Sequence, residues 1–92
     1  GPLSLGPLNA YAENLAKPEY SAVNRRMNIF GRVKVQIELD ATGKVLEAKA
    51  VEGPGSLRRP SEEAVRQSKF NPVVVDGVAV AATGYIIFNF VN

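Results

Sequence analysis

The clearest pattern in the chain is a strict alternation of apolar and polar side chains between Gly31 and Asp40. The apolar positions are Val33, Val35, Ile37 and Leu39, and each position between them is charged or an amide. A period of two is typical of a β-strand with one face in a hydrophobic core and the other in water. Turn residues follow and end in Gly43, so a second strand over Lys44–Val51 is expected to return beside the first.

The end of the chain also predicts a strand, but one with apolar side chains on both faces. No charged residue occurs in Gly77–Asn92. One predicted face carries Ile86, Phe88 and Phe90, and the other carries Tyr85, Ile87, Asn89 and Val91. Exposed edge strands are normally protected by Lys, Pro or a bulge, because their unpaired main-chain groups recruit other chains. The pattern therefore predicts either a central strand or an edge with which another chain pairs.

Two helices are predicted around the hairpin. The first opens at Pro18, because proline is tolerated at a first helical position. Its apolar stripe consists of Tyr20, Val23 and Met27. The second helix, around Arg58–Ser68, is expected to start between positions 56 and 61, with Pro60 in its first turn.

These elements predict an α+β fold class, in the order helix, strand, strand, helix, strand. The expected sheet is small and has three antiparallel strands, with the last strand beside the first. The second helix would cover one face of the sheet and pack Leu57, Val65 and Phe70 onto the inward side chains. An alternative is that both helices bury the last strand, one on each face.

Composition limits the chemistry that the chain can perform. Its 92 residues suffice for one domain, and a hydrophobic content of 46% is too high for a disordered segment. The absence of Cys and His removes thiolate chemistry, the usual zinc ligands and the commonest general base. Glu62 and Glu63 would point about 100° apart on a helix, and carboxylates suit a helix N-terminus in any case. We therefore expect no enzyme, and neither a cofactor nor a metal site.

The charge pattern argues against a nucleic-acid partner. The formal net charge is only +2, and the basic residues are scattered among acidic ones. Nucleic-acid binding usually needs a basic patch with stacking aromatic residues, whereas the aromatic side chains near the C-terminus lie in an uncharged segment.

The first seventeen residues are weakly patterned, so we predict an N-terminal arm or linker over 1–17 and a folded domain over 18–92. Gly1-Pro2 has the form of a scar from a cleaved expression tag and is excluded from the fold prediction. The chain begins without Met, and we expect it to be part of a longer protein. Apolar residues of the arm, Leu3, Leu5 and Leu8, suggest the hypothesis that it folds back over the last strand until a partner displaces it.

Several fixed points follow one another in a recognisable order. They are Pro18-Glu19-Tyr20, the pattern G-x-V-x-V-x-apolar-x-apolar-D over Gly31–Asp40, Gly43-Lys44-Val45, Phe70-Asn71-Pro72 and the closing Ile87-Phe88-Asn89-Phe90. With the order of elements, they resemble the C-terminal domain of the TonB family over about Pro18 to Val91. The chain departs from the family's usual residues at Ser21, at Pro60-Ser61 and at Ser68.

The resemblance implies the fold of TonB and TolA C-terminal domains and a function in energy transduction. Members of the family form the periplasmic end of a transducer that is anchored in the inner membrane of a Gram-negative bacterium. A motor complex reaches the transducer through its N-terminal region, and the C-terminal domain acts on outer-membrane transporters. The resemblance thus implies a domain that binds a protein partner and transmits force, with no cofactor of its own.

The resemblance also implies which residues bind the partner. In the family, a short extended segment of the transporter, the TonB box, pairs with the last strand and extends the sheet, which is β-augmentation. The implied partner-binding residues are Tyr85, Ile86, Ile87, Phe88, Asn89, Phe90 and Val91, with Tyr20 near the docking surface. Tyr20 has an alternative role as the first anchor of the apolar helix stripe.

Two alternative functions stay open at this point. One is a TolA-like module that spans the envelope with a similar fold but different partners. The other is a structural or regulatory dimerisation domain, in which the last strand pairs with its copy in a homodimer.

Overall fold

The structure is a computed structural model that describes residues 1–92. The segment with alternating apolar and polar residues forms its central hairpin. Strand β3, Gly31–Leu39, pairs with β4, Val45–Glu52, in an antiparallel hairpin. All four apolar side chains of the alternation are buried, as the period of two predicts. Asp40 fixes the turn, because its Oδ1 accepts hydrogen bonds from the Thr42 N–H at 2.8 Å, the Thr42 hydroxyl at 2.6 Å and the Lys44 N–H at 3.0 Å.

The other elements surround this hairpin. In chain order they are β1 Leu3–Pro7, β2 Ala12–Asn14, α1 Ala22–Arg26, α2 Gly55–Gln67, β5 Lys69–Phe70, β6 Val73–Val75, β7 Val78–Val80 and β8 Ala82–Phe90, with a single 3₁₀ turn at Asn9–Tyr11. Strands β2 and β5 pair with each other, and β6 and β7 form a separate hairpin. Asp76 and Gly77 turn that hairpin with φ angles of 51° and 80°, as a two-residue turn requires.

The main sheet has four strands in the order β1-β8-β3-β4. Strand β8 lies beside β3 in an unbroken antiparallel register from Gly31↔Phe90 to Leu39↔Ala82, as predicted for the last strand. The α+β class is confirmed, but the prediction of three strands is wrong. The fourth strand is β1, which the arm contributes in parallel to β8. Its five residues include a Gly-Pro pair, so local pattern gave no strand signal, and only the pairing with β8 makes the segment extended.

The core lies between one face of this sheet and α2. It contains the inward side chains of β3 and β8 together with Leu57, Val65 and Phe70, as the sequence predicts. Helix α2 begins at Gly55, one residue before the predicted range, and Pro60 is its sixth residue rather than part of the first turn. The helix tolerates Pro60 there because the carbonyl that loses its donor belongs to Ser56, which is exposed to water.

Helix α1 is shorter than predicted and begins later. Pro18 precedes it, and Ser21 caps its N-terminus by accepting a hydrogen bond from the Asn24 N–H at 3.0 Å. A serine cap satisfies a helical N–H that proline cannot satisfy, so the helix starts at the cap. Val23 and Met27 are 53% and 66% exposed, so the predicted apolar stripe is not buried. Neither α1 nor α2 has the length and apolar composition that a membrane-spanning helix needs.

Candidate functional site

The predicted partner-binding residues lie along β8 and divide between its two faces. Ile86, Phe88 and Phe90 are buried in the core beneath α2. On the opposite face Tyr85 and Ile87 are half-buried and Asn89 is exposed. Val91 follows the end of the strand. One face of β8 is thus buried in the core, and the other is half-buried or exposed. What distinguishes β8 is that part of its main-chain edge has no paired strand.

The first half of that edge is occupied by β1. Leu3 pairs with Ala82, Ser4 with Thr83 and, after an irregularity, Pro7 with Tyr85. Hydrogen bonds of 2.9 Å run from the Leu3 N–H to the Ala81 carbonyl and from the Leu8 N–H to the Tyr85 carbonyl. Along its first half, β8 is thus a central strand, with β3 on one side and β1 on the other.

The second half of the edge is open. In a β-strand, the N–H and C=O of one residue point to the same side, and those of the next residue point to the other. Because the Tyr85 carbonyl faces β1, the main-chain groups of Ile87 and Asn89 face the same side, beyond the last residue that β1 pairs. Strands β1 and β3 are the only neighbours of β8 in the sheet. The edge from Ile87 onward therefore has no strand paired with it.

Tyr20 lies at the end of this open half. Its ring packs edge-on against Phe90, with centroids 5.4 Å apart, and its hydroxyl donates a 2.6 Å hydrogen bond to the Ile29 carbonyl. The Arg25 guanidinium lies 4.4 Å above the same ring. Tyr20 therefore holds the segment that precedes β3 against the last strand. It precedes α1 and does not belong to an apolar stripe of that helix.

The face of the sheet opposite α2 carries basic and apolar side chains near the open edge, with Glu52 across from Lys34 in the β3–β4 register. Lys34 Nζ lies 4.4 Å from the centre of the Tyr85 ring. Arg32 is directly across from Asn89 in the β3–β8 register. Phe30 and Val91, at the end of the same two strands, are both largely exposed. A strand added at this edge would place alternate side chains next to this surface.

Gly84 lets the arm approach the first half of β8. A Cβ at this position would lie 2.5 Å from the Gly6 carbonyl oxygen and 2.6 Å from Leu8 Cγ. Leu8 is fully buried in the space that the missing side chain leaves. The sequence prediction did not single out Gly84, and its only sign in the sequence is a glycine inside a strand pattern. The three leucines of the arm indicated that it folds back over the last strand, but they gave no sign that it forms a strand there.

The other edge of the sheet is closed by side chains of α2. Glu62 Oε2 accepts a 2.7 Å hydrogen bond from the Ala50 N–H, and Arg66 donates a 3.3 Å hydrogen bond to the Ala48 carbonyl. Strand β4 also bulges at Leu46, which falls between the paired positions 45 and 47 and is exposed. Glu62 therefore has a structural partner in the main chain of β4.

No group of three or more Asp, Glu, His or Cys side chains gathers in a way that could hold a metal ion. The Thr42 hydroxyl, followed by the main-chain N–H of Lys44, lowers the pKa of Asp40 through hydrogen bonds to its carboxylate. An open groove of about 620 Å³ lies between the segment before α1 and α2, and its lining mixes acidic, basic and amide side chains. Every buried side-chain nitrogen and oxygen has a hydrogen-bond partner.

Comparisons with known proteins agree on one family. The sequence model of the family described as Gram-negative bacterial TonB protein C-terminal matches residues 16–91. Protein TonB of Vibrio cholerae serotype O1 is 34% identical over 76 residues, a match that covers 80% of this chain and 31% of that protein. The chain therefore spans about a third of that relative's length.

A solved structure is similar over most of the chain. The solution NMR structure of Pseudomonas aeruginosa TonB CTD superposes with a TM-score of 0.70 at 25% sequence identity. The match covers 88% of this chain and 84% of that one.

Proposed function

Because the chain belongs to the family of TonB C-terminal domains, we propose that it binds an extended peptide of an outer-membrane transporter and transmits force to it. The peptide is the TonB box, and it pairs with the main-chain edge of Tyr85–Val91. The observation that carries this proposal is the open second half of β8, where the main-chain groups of Ile87 and Asn89 have no neighbouring strand. Main-chain hydrogen bonds supply affinity, and the side chains around the edge supply selectivity.

The sheet suits the transmission of force. Nine consecutive residue pairs join β8 to β3, so a pull along a peptide bonded to β8 loads this whole ladder in shear. Strand β3 in turn belongs to the hairpin with β4, which α2 covers. The domain acts by binding and not by catalysis. It works in the periplasm as part of a parent protein that is anchored in the inner membrane and energised by a motor complex.

The test is an NMR titration of ¹⁵N-labelled protein with a synthetic TonB-box peptide of an outer-membrane transporter. We expect the largest amide shifts at Ile87 and Asn89. Two matched control peptides carry N-methyl groups on alternate residues, one set facing β8 and the other facing away. Only the first set should abolish the shifts, because only it removes donors to β8. Equal effects of the two control peptides, or shifts that avoid β8, would contradict the proposal.

The same open edge favours one second candidate function, pairing of β8 with a second copy of the chain. Two copies related by a two-fold axis would join their open halves antiparallel. Analytical ultracentrifugation over a range of concentrations tests this candidate. A dimer that Ile87→Lys abolishes would support it, and a monomer at all concentrations would exclude it.

A further inference from the structure

We infer that β1 is a built-in occupant of the peptide-binding edge, which leaves when a partner strand binds. Residues Leu3–Pro7 detach from β8 and the Leu8 N–H releases the Tyr85 carbonyl, while the Leu8 side chain stays in the core as the anchor. The inference rests on the proposed function, because it names what the partner peptide must displace at the same edge.

The occupancy is visible in the pairing. Strand β1 bonds to the main-chain edge of β8 between Ala81 and Tyr85, on the side that continues into the open half at Ile87. The main-chain groups on this side of β8 form one continuous edge, and β1 pairs with the first half of it. A partner that uses the whole edge must take the place of β1.

Strand β1 is weakly attached compared with the residue that follows it. No side chain of Leu3–Pro7 is buried, whereas Leu8 is fully buried. Pro7 has no N–H to donate, and the register shifts between Ser4 and Pro7. A segment with few buried apolar contacts belongs to the least stable part of a fold and opens locally.

The anchor behind β1 is firm and does not depend on it. The Leu8 carbonyl accepts a hydrogen bond from the Tyr11 N–H at 3.0 Å, and the Tyr11 carbonyl accepts one from the Asn71 N–H at 2.8 Å. Strand β2 then pairs with β5. Release therefore ends at the Leu8 N–H, and the arm beyond it keeps its position.

The occupant also indicates the chemistry of the partner. Strand β1 runs parallel to β8, and Leu5 packs against the core cluster from this position. A partner peptide that replaces it is extended and parallel, carries an apolar side chain where Leu5 lies, and continues past Tyr85 along the open half. The added pairing at Ile87 and Asn89 favours the longer peptide over β1. Short or poorly matched peptides do not make these bonds and are rejected.

A reversible lock tests the inference. The chain has no cysteine of its own, so Ser4→Cys with Thr83→Cys introduces one defined pair across β1 and β8 at directly opposed positions. A matched control, Gln36→Cys with Lys49→Cys, locks β3 to β4 at exposed positions away from the edge. The probe is the synthetic TonB-box peptide of the proposed-function test, titrated against oxidised and reduced forms of each variant.

We expect the oxidised Ser4–Thr83 variant to bind the peptide at least about tenfold more weakly than its reduced form, because the binding-competent state is no longer populated. The control variant should bind equally well in both redox states. Equal affinity of the oxidised and reduced Ser4–Thr83 variant would overturn the inference, since β1 would then not stand in the way.

A second measurement separates this inference from the proposed function. If neither form binds the peptide, the proposed function fails, and amide hydrogen exchange then decides on β1. In the reduced form of the Ser4→Cys, Thr83→Cys variant, the amides at position 83 and of Tyr85, whose main chain faces β1, should exchange at least about 100-fold faster than the amide of Val35. Both should slow down on oxidation. Exchange as slow as that of Val35 in the reduced form would overturn the inference, because β1 would be a permanent strand.

Discussion

The two sides of the main sheet, at β4 and at β8, differ in how their main-chain groups are covered. An unpaired strand edge invites pairing with other chains, so folded proteins cover it or blunt it. At β4, side chains of α2 close the edge, with Glu62 and Arg66 bonded to the main chain of Ala50 and Ala48. At β8, a short strand of the chain itself covers one half, and the other half is open. The difference is that a peptide can replace a strand, whereas it cannot replace a helix side chain without disturbing the core.

Strand β4 carries further protection that β8 lacks. Its exposed positions include Glu47, Lys49 and Glu52, and its bulge at Leu46 breaks the regular ladder. Strand β8 has no charged residue and pairs with β3 without interruption. Charge and irregularity discourage strand pairing at β4, and β8 has neither form of protection.

Among the substitutions that test the difference between the two edges, removal of the Leu8 anchor should lower stability most. We expect Leu8→Ala to lower the free energy of unfolding by about 2–5 kcal/mol, because a fully buried leucine leaves a cavity over Gly84. Urea denaturation measures this change. The control is Leu3→Ala, which should cost at most about 1 kcal/mol, since Leu3 is 39% exposed. Similar losses for both variants would mean that Leu8 is no special anchor.

A side chain at Gly84 should also disturb the contact between β1 and β8, because it would occupy the space that Leu8 fills. We expect Gly84→Ala to lower the free energy of unfolding by about 1–3 kcal/mol, because the new Cβ meets the Gly6 carbonyl and Leu8. Gly6→Ala is the control, since a Cβ added there would have nothing within 4 Å, and it should change stability by no more than about 0.5 kcal/mol. Thermal unfolding of the two variants tests the contrast, and a harmless Gly84→Ala would argue against close approach of the arm.

Opening the protected edge should have a smaller effect. Glu62→Ala leaves the Ala50 N–H without its protein partner, and we expect a loss of about 1–2 kcal/mol because water reaches this edge in part. The Ala50 amide should also exchange with solvent faster, which NMR measures directly. Glu63→Ala removes an exposed neighbour and serves as the control. An unchanged Ala50 exchange rate would show that Glu62 does not close the edge.

The smallest expected effect concerns the turn that joins β3 to β4. Hydrogen bonds from Thr42 and Lys44 lower the folded-state pKa of Asp40 below its ordinary value of 3.8. Stability from this carboxylate is therefore fully present above the unfolded pKa and is lost as the pH falls through the lower folded pKa. Acid titration of the unfolding midpoint should show a small decline in this range, and Asp40→Asn should remove that part of it. An unchanged acid profile would contradict this role.

The sequence was sufficient wherever one segment carries its own periodicity. Residues 31–40 alternate without a fault, and the uncharged C-terminal stretch predicted the last strand and its buried face. The start of α1 was mispredicted because Pro18 and Ser21 compete as start signals, and the capping hydrogen bond of Ser21 decides between them. The periodicity of a segment thus predicts that a strand or helix exists. Where a helix begins depends on which of two competing start residues makes its capping hydrogen bond.

Only part of the candidate site could be predicted from the sequence. The last strand was predicted as the binding element, but whether its edge is free depends on a segment about eighty residues earlier in the chain. The extended form of Leu3–Pro7 is imposed by β8, because a Gly-Pro pair in five residues has little strand preference of its own. Likewise, the hydrogen bond of Glu62 to Ala50 joins two elements, and no spacing within α2 reveals it.

The anchoring of Leu8 has a kinetic consequence for the arm. Leu3–Pro7 remains tethered within a few residues of its pairing site, which corresponds to an effective concentration on the order of millimolar. Closing a short loop takes about 10–100 ns, so β1 returns to β8 far sooner than a second molecule arrives at ordinary protein concentrations. Under the inferred exchange of β1, the domain would reset itself after each partner leaves, at a rate that does not depend on the protein concentration.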